Sequence, residues 1–176
     1  SITEPSCFGN TNGAILITDI YATDFSIDGG TTIQTNGNFL NLSSNTFNIN
    51  LSAGPQCQYD TIINVNEPDM LLGVFNVDSV ACNTQCNGEL TVLAAGGTLP
   101  YNYILGGVLS QNSNVFTDLC AGNKIVTVID SNNCQLVIDT IIFEPLTLSL
   151  NEIGKVDETC GNGNGTYEAT TIGGTG

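Results

Sequence analysis

Seven cysteines give this chain its clearest capacity for covalent chemistry. The 176 residues contain no histidine and no Cys-x-x-Cys pair, so the usual ligand sets for zinc are absent. Cytosolic proteins rarely keep disulfides, whereas extracellular proteins use them routinely. We therefore expect most of these cysteines to form disulfides in an extracellular protein. They are Cys7, Cys57, Cys82, Cys86, Cys120, Cys134 and Cys160.

The residue types needed for most enzyme mechanisms are missing. The two basic residues are Lys124 and Lys155, so the chain offers no imidazole base, no Ser-His-Asp arrangement and no arginine clamp for phosphate. Pairs of carboxylates can hydrolyse glycosidic bonds, but the acids of this chain stand at strand ends and linkers, where solvated surface positions are typical. We expect no enzymatic activity.

Net charge limits the partners further. It is -15, from 17 acidic and two basic residues. A surface with so few cations does not neutralise phosphate groups, so we expect no binding to nucleic acid. The sequence has no apolar run of about 20 residues, and we expect no membrane insertion. No signal peptide is recognisable. Because the sequence also starts and stops inside repeats, we expect it to be an internal piece of a longer protein.

An internal repeat must position the cysteines and acids. The block 29–57 recurs without a gap 77 residues later as 106–134, with Phe39 matching Phe116. A fixed offset over such a length is typical of tandem modules. We divide the chain into repeat one (1–68), whose first strand is incomplete, repeat two (69–145) and the truncated start of repeat three (146–176).

The residue pattern inside each repeat predicts β-strands. Turn residues such as Asn-Gly and Gly-Gly separate short runs in which apolar and β-branched residues are frequent. No window shows a helical stripe with caps. Short strands with a turn every eight to twelve residues or so predict an all-β fold of sandwich modules. The clearest runs are Ala14–Thr18, Glu89–Leu93, Ile125–Ile129 and Leu136–Ile142.

Equivalent positions in the repeats predict how the cysteines pair. The first and last cysteines of repeat one match those of repeat two, so we expect one disulfide within each full repeat. Repeat two has two further cysteines that repeat one lacks together, and we expect those two to pair. Cys160 starts the same pattern in repeat three, and its expected partner lies beyond the end of the sequence. The predicted disulfides are Cys7–Cys57, Cys82–Cys134 and Cys86–Cys120.

Strand geometry leaves an alternative open. A disulfide joins Cα atoms roughly 5.5 Å apart, and a predicted strand separates Cys120 from Cys134. If Cys82 and Cys134 lie at opposite poles of the sandwich, the second cysteine bridges neighbouring repeats instead. Buried free thiols are a further alternative.

The acidic residues indicate calcium as a candidate cofactor. Asp130 and Asn132 stand in an oxygen-rich turn and could supply hard ligands. Repeat one has Ala53 at the position of Asp130, so the site is not built into the repeat, and an Asx turn explains Asp130 equally well. Apart from calcium we expect no cofactor. Acids near the repeat junctions could contribute, namely Glu67, Asp69, Asp78, Glu144, Glu152 and Asp157.

The motifs of repeat two resemble a known family. Repeat one departs from them, because it has no Pro-Tyr pair and has Ser43-Ser44-Asn45 where Ala-Gly is expected. In repeat two the motifs are Cys-x-x-x-x-Asn-Gly from Cys82, Gly-Gly-Thr-x-Pro-Tyr from Gly96, Phe-x-x-Leu-x-Ala-Gly from Phe116, Val-x-Asp-x-x-x-Cys to Cys134, and a closing Glu-Pro at Pro145. Together they are similar to the SprB repeat of giant surface adhesins in gliding Bacteroidetes.

This resemblance implies immunoglobulin-like β-sandwich modules in tandem, exported by the type IX secretion system to the bacterial cell surface. The function implied is a structural or adhesive stalk section of a long repetitive adhesin or extracellular filament. Its partners would be neighbouring repeats of the same chain, with surface polysaccharide or lateral copies of the chain as further candidates. The alternative is a carbohydrate-binding module, in which tyrosines of the turn Thr98–Tyr103 stack on sugars.

Three short motifs indicate covalent modification. They follow the Asp-(Ser/Thr)-aliphatic pattern that Bacteroidetes use for O-glycosylation of exported proteins, and two of them stand at the same repeat position. Unmodified strand residues are the alternative. The candidate acceptors are Thr61, Ser79 and Thr140.

Overall fold

The described part of the chain, residues 1–161 and 163–175 of a computed structural model, is built from β-strands and has no helix. It therefore contains no helix with the length and apolar character needed to cross a membrane. Asn162 and Gly176 lie outside the described residues. The all-β prediction is confirmed, whereas the immunoglobulin-like arrangement of the modules stays a prediction.

Fifteen strands can be assigned within the described residues. In repeat one they are β1 (Ile2–Thr3), β2 (Gly13–Leu16), β3 (Asp24–Ser26), β4 (Asn38–Leu42), β5 (Asn45–Ser52) and β6 (Gln58–Val65). In repeat two they are β7 (Leu72–Asp78), β8 (Gly88–Ala95), β9 (Asn102–Leu105), β10 (Leu109–Gln111), β11 (Val115–Leu119), β12 (Gly122–Ile129) and β13 (Gln135–Ile142). In repeat three they are β14 (Ser149–Val156) and β15 (Thr166–Ile172).

The repeated sequence has a repeated strand order. Repeat one forms two three-stranded sheets, β1-β2-β4 and β3-β5-β6. Repeat two forms the corresponding sheets β7-β8-β11 and β9-β12-β13, and β10 adds a fourth strand beside β9. The pair β14-β15 repeats the first two strands. Antiparallel pairing is found for β1-β2, β2-β4, β3-β5, β5-β6, β8-β11, β9-β10 and β14-β15.

Alternation along the strands places one face in the core. In β8 the side chains of Leu90 and Val92 are completely buried. The alternating residues Glu89 and Thr91 are half-buried. Strand β12 repeats this with Val126 and Val128, which is the period of two expected for a strand. In repeat one the core is a cluster around Ile15, Ile49 and Val65.

A β-bulge recurs at the same place in both full repeats. Asn41 and Asp118, which are equivalent residues, both have positive φ angles of 58° and 55°. At each bulge the carbonyl of the following leucine approaches the glycine of the Asn-Gly pair. A Cβ on Gly88 would lie 2.9 Å from the carbonyl oxygen of Leu119. The glycine is therefore required by the close approach of a bulged strand.

The described chain divides into two compact units that differ from the predicted repeats. The first unit comprises Ser1–Leu72, Ala94–Asn102 and Val128–Leu136, and the second comprises Gly73–Leu93, Tyr103–Thr127 and Val137–Gly176. The first unit thus contains most of repeat one together with two turn regions of repeat two. The repeat boundaries 1–68, 69–145 and 146–176 describe the sequence repetition and stay a prediction.

One of these turn regions, around Gly96 and Gly97, packs against the start of repeat two. The Gly97 N–H donates to the carbonyl of Asp69 at 2.8 Å, and a Cβ on Gly96 would lie 2.0 Å from the carbonyl oxygen of Met70. Repeat three has the same bond, from the Gly174 N–H to the carbonyl of Leu146 at 2.8 Å. The Gly-Gly pair is therefore fixed by packing as well as by turn geometry.

We predict that Gly96→Ala destabilises the first unit more than Gly9→Ala. Both glycines belong to this unit and have nearly equal φ angles of +76° and +75°, but a Cβ on Gly9 meets no atom within 4 Å. Gly9→Ala should cost about 1–2 kcal/mol for the left-handed backbone, and Gly96→Ala at least ~2 kcal/mol more for the clash. Urea unfolding of both variants measures the difference, and equal losses would contradict the packing role of Gly96.

Candidate functional site

A disulfide between Cys7 and Cys134 joins repeat one to repeat two. The two sulfurs are 2.04 Å apart, the Cα atoms are 5.7 Å apart, and the sequence separation is 127 residues. Both cysteines belong to the first compact unit. The expected within-repeat disulfide Cys7–Cys57 is therefore wrong, and Cys57 is an exposed free thiol.

The length of β6 explains why Cys7 and Cys57 do not meet. Cys57 immediately precedes β6, whereas the loop of Cys7 is held beyond the other end of that strand by Glu67, whose Oε2 accepts the Gly9 N–H at 2.6 Å. Eight residues of strand span roughly 26 Å. A disulfide needs Cα atoms within about 7 Å, so the two cysteines lie too far apart.

The same geometry corrects the expected disulfide Cys82–Cys134. Cys134 immediately precedes β13, and the Thr84 N–H in the loop of Cys82 donates to Glu144 Oε2 at 3.0 Å, beyond the far end of β13. Cys82 is an exposed free thiol. The structure has the alternative arrangement, in which the last cysteine of a repeat bridges to the neighbouring repeat.

The predicted disulfide Cys86–Cys120 is present, with its Cα atoms 3.8 Å apart. Its cause is strand register. Strands β8 and β11 pair with Gly88 opposite Leu119, so the residues just outside the pair are neighbours. Cys160 is exposed with a free thiol, and a partner beyond the sequence stays a prediction.

The buried carboxylate of Asp130 shapes the turn that carries Cys134. Its side chain is only 4% exposed. Its Oδ1 accepts the N–H groups of Asn132 at 2.9 Å and of Cys134 at 2.8 Å, and its Oδ2 accepts the Thr98 N–H at 2.8 Å. Three backbone donors thus use both carboxylate oxygens, which ties the 130–134 turn to the Gly-Gly turn.

Asn132 connects this turn to the loop of Cys7. Its side-chain amide donates to the carbonyl of Ser6 at 3.0 Å and to Thr98 Oγ1 at 3.1 Å. The Ser6 N–H donates in turn to Asn12 Oδ1 at 3.0 Å, which closes the loop of Cys7. The disulfide is therefore flanked by polar contacts that fix both of its ends.

The candidate calcium ligands Asp130 and Asn132 are engaged in hydrogen bonds, and calcium binding stays a prediction. Asp130 holds backbone N–H groups, and Asn132 acts as a donor through its amide nitrogen. Glu67 and Glu144 likewise accept backbone N–H groups. Within the part of the chain that the structure describes, no three His, Cys, Asp or Glu side chains cluster as metal ligands would.

The junction with repeat three lies within the second compact unit and uses the loop of Cys82. The side-chain amide of Asn83 donates to the carbonyl of Pro145 at 3.2 Å, and the Thr147 hydroxyl donates to Asn83 Oδ1 at 2.9 Å. Asn87 Oδ1 closes this loop by accepting the Ala81 N–H at 3.1 Å, as Asn12 does in repeat one.

Tyrosines of the candidate sugar-binding turn point inward rather than outward. Tyr103 is 6% exposed and belongs to the core. Tyr101 is half-buried, and its hydroxyl donates to the carbonyl of Gly96. The exposed apolar residues of this turn are Leu99 and Pro100. The turn therefore presents no tyrosine face comparable to a sugar-stacking platform.

The three candidate glycosylation residues differ in accessibility. Ser79 is exposed and directly follows β7. Thr61 is half-buried in β6 and shares the strand face of the buried Val65. Thr140 is half-buried in β13 and shares the face of the buried Ile138.

Two further carboxylates in repeat one hold turns in the same way as Asp130. The N–H groups of Ala22 and Tyr21 donate to Asp19 Oδ1, each at 2.7 Å, and lower the pKa of Asp19. The Thr32 N–H donates to Asp28 Oδ1 at 2.8 Å, and with the hydroxyls of Thr32 and Ser26 it lowers the pKa of Asp28 to about 2. Hydrogen bonding to the charged form is the cause in both cases.

Sequence reasoning missed the two glutamates that hold the cysteine loops. Glu67 and Glu144 each precede a proline, and the sequence indicates them only as part of a closing Glu-Pro motif and as possible calcium ligands. A signal for their role is present in the sequence, because the two glutamates occupy equivalent positions of repeat one and repeat two, and each of these repeats also has a cysteine loop. The Asn-Gly pairs at Asn12, Asn87 and Asn164 likewise indicate only turns in the sequence.

Residues 74–109 match the model of the SprB repeat family. The chain carries a SprB repeat. The matched segment runs from β7 to the start of β10 and includes Cys82, Cys86 and the Gly-Gly turn. No curated protein and no solved structure matches the chain. The SprB repeat indicates the repeat region of a cell-surface, adhesin-like protein, and the two disulfides fit an extracellular location.

We predict that Asp130→Asn lowers the free energy of unfolding by roughly 1–3 kcal/mol, because the asparagine NH₂ would face at least one backbone N–H and leave it unpaired. The matched control is Asp69→Asn, which makes the same change at an exposed residue of the same unit and should change the free energy by less than about 0.5 kcal/mol. Urea denaturation measures both. Similar losses in the two variants would show that Asp130 does not hold the turn.

Proposed function

We propose that this chain is a stalk section of a repetitive bacterial cell-surface adhesin. The observation that carries the proposal is the Cys7–Cys134 disulfide, which ties one repeat to the next. A protein that only displays independent modules has no need of such a bond. A stalk that transmits force from a distal tip gains from it, because the bond limits extension at the junction.

The disulfides determine which part of the chain can lengthen under load. Force applied at the two ends passes through the Cys7–Cys134 bond and bypasses the 127-residue separation between these cysteines. The Cys86–Cys120 disulfide lies inside that segment and carries no load while the outer bond is intact. In the chain-entropy model, a loop of this size stabilises the folded state by about 5 kcal/mol.

We predict a large difference in extensibility between the oxidised chain and Cys7→Ser. Single-molecule stretching from both termini should release up to roughly 440 Å more length in the variant, because its 127-residue segment is free to unfold. The Cys86–Cys120 bond retains part of this length until it is reduced.

Cys57→Ser is the matched control for this measurement. It removes an exposed free thiol from the same unit and should leave the extension unchanged. Full extension of the oxidised wild-type chain, equal to that of Cys7→Ser, would contradict the load-limiting role of the outer disulfide and with it the mechanical function.

Binding of surface polysaccharide is the second candidate. It is less well supported at the turn Thr98–Tyr103, because Tyr103 is buried and the Tyr101 hydroxyl is engaged. We propose no catalytic activity and no cofactor, since the carboxylates of Asp19, Asp28, Glu67, Asp130 and Glu144 serve as acceptors for backbone N–H groups. Neighbouring repeats of the same chain are the proposed main partners. Lateral association with other copies of the chain is a second proposed interaction.

We predict that, if the exported protein carries O-glycans at its three candidate motifs, Ser79 is the principal acceptor. Ser79 is exposed outside the strand, whereas Thr61 and Thr140 are half-buried on core-facing sides of β6 and β13. Peptide mass analysis of the protein from the exporting bacterium should find the glycan mass on Ser79, and Ser79→Ala should remove it. Thr140→Ala is the control. Glycans on both threonines with none on Ser79 would contradict the prediction.

A further inference from the structure

We propose that the Cys7–Cys134 disulfide is one rung of a ladder that recurs at every junction between copies of the repeat. Cys82 is then the partner for the last cysteine of a complete copy that follows repeat two. Cys57 is the partner for the first cysteine of a copy that precedes repeat one. This inference deepens the proposed stalk function and rests on it, since it needs further copies of the repeat.

The loop of Cys82 is built like the loop of Cys7. The Gln85 N–H donates to the carbonyl of Cys82 at 3.2 Å, as the Asn10 N–H donates to the carbonyl of Cys7 at 3.0 Å. An asparagine side chain closes each loop, and a glutamate beyond the last strand of the repeat accepts an N–H from each. The thiol of Cys82 is exposed. Cys82 therefore lies in the same kind of loop as Cys7, and Cys7 forms a disulfide from that loop.

The turn of Cys57 is built like the turn of Cys134. The Ala53 N–H donates to the carbonyl of Cys57 at 2.9 Å, and the equivalent bond from Asp130 to Cys134 is 3.0 Å. These turns stand 77 residues apart in the sequence repeat. The thiol of Cys134 is bridged, whereas that of Cys57 is free and exposed.

The surface around Cys57 fits a protein loop as its partner. A groove of about 420 Å³ beside Cys57 is lined by Tyr21 and Tyr59, which are 78% and 62% exposed. Repeat one has Ala53 and Pro55 where repeat two has Asp130 and Asn132. Apolar contact would therefore replace part of the polar contact that holds the loop of Cys7. A cysteine loop of a preceding copy is the occupant to which we commit.

Repeat three begins in the position that a following copy needs. The bond from Gly174 to Leu146 matches the bond from Gly97 to Asp69 in length, and Thr147 contacts Asn83 next to Cys82. In repeat two the equivalent Gly-Gly turn lies against the turn of Cys134 through the Thr98 N–H and Asp130. Completion of repeat three would therefore bring its last cysteine close to Cys82.

The bond forms by thiol–disulfide exchange with a disulfide oxidant, such as oxidised glutathione. The thiolate of one cysteine attacks the oxidant and releases one reduced glutathione. The second cysteine thiolate then attacks the mixed disulfide and releases the other. Two protein thiols lose two protons and two electrons, and one oxidant disulfide is reduced to two thiols.

The decisive experiment extends the full chain by a second copy of residues 100–145, so that Gly176 takes the position of Leu99. The copied Cys120 is replaced by Cys120→Ser, which leaves eight cysteines. After folding in a glutathione redox buffer, we expect a disulfide between Cys82 and the copied Cys134, found by non-reducing peptide mapping. Thiol titration should give two free thiols per chain, on Cys57 and Cys160, instead of four.

Cys82→Ser in the extended chain is the matched control and should leave the copied Cys134 as a free thiol. A protease-resistant third repeat whose copied Cys134 stays free, or pairs with Cys160, would overturn the ladder. The stretching experiment on Cys7→Ser would still stand in that case, because it depends on the Cys7–Cys134 bond alone.

A second measurement decides the matter if the added segment does not fold. The unextended chain carrying Cys82→Ser keeps Cys57 and Cys160 as its free thiols. At high concentration in the same buffer it should link through Cys57 of one copy and Cys160 of another, because repeat one of the second copy then follows repeat three of the first. Peptide mapping of the dimer should find this pairing in several-fold excess over Cys57–Cys57 and Cys160–Cys160. A statistical mixture of the three would overturn the proposal.

Discussion

The buried carboxylate of Asp130 is the interaction on which the junction between the repeats depends. It accepts three backbone N–H groups and is itself almost completely buried. A buried charge is costly unless hydrogen bonds compensate it, so the surrounding backbone has little freedom. The turn that carries Cys134 and the turn that carries Gly97 are thereby held as one piece. The disulfide to Cys7 then forms between two surfaces that are already shaped.

Much of the fold could be predicted because strands leave a strong local pattern. The runs Glu89–Leu93 and Leu136–Ile142 lie inside the observed strands β8 and β13. The fixed offset between repeats makes Asn41 equivalent to Asp118, and both have positive φ angles at a β-bulge, but the periodicity does not indicate the bulge itself. The pairing of Cys86 with Cys120 could also be predicted by comparing the repeats, because both cysteines occur in repeat two and both are missing from repeat one.

The partners of Cys7 and Cys134 could not be predicted from the same pattern. A periodic sequence gives equivalent residues but does not distinguish a bond within one copy from a bond between consecutive copies. The distinction depends on which pole each cysteine occupies, and that depends on the number of strands and their lengths between the two. Here the eight residues of β6 place the two cysteines of repeat one at opposite ends. Local periodicity carries no information about this choice.

Scarcity of cations explains why so many contacts at these junctions use the backbone. The chain has 17 acidic residues and two lysines, and within the described residues an exposed ion pair, Lys155 with Asp157, accounts for one of these lysines. The acids that hold turns and loops therefore accept backbone N–H groups. Such a donor is present in almost every residue type. The loops Phe8–Asn10 and Asn83–Gln85 share no residue at equivalent positions, yet each offers an N–H to a glutamate. Backbone donors thus let the repeats diverge in sequence while the junction keeps its geometry.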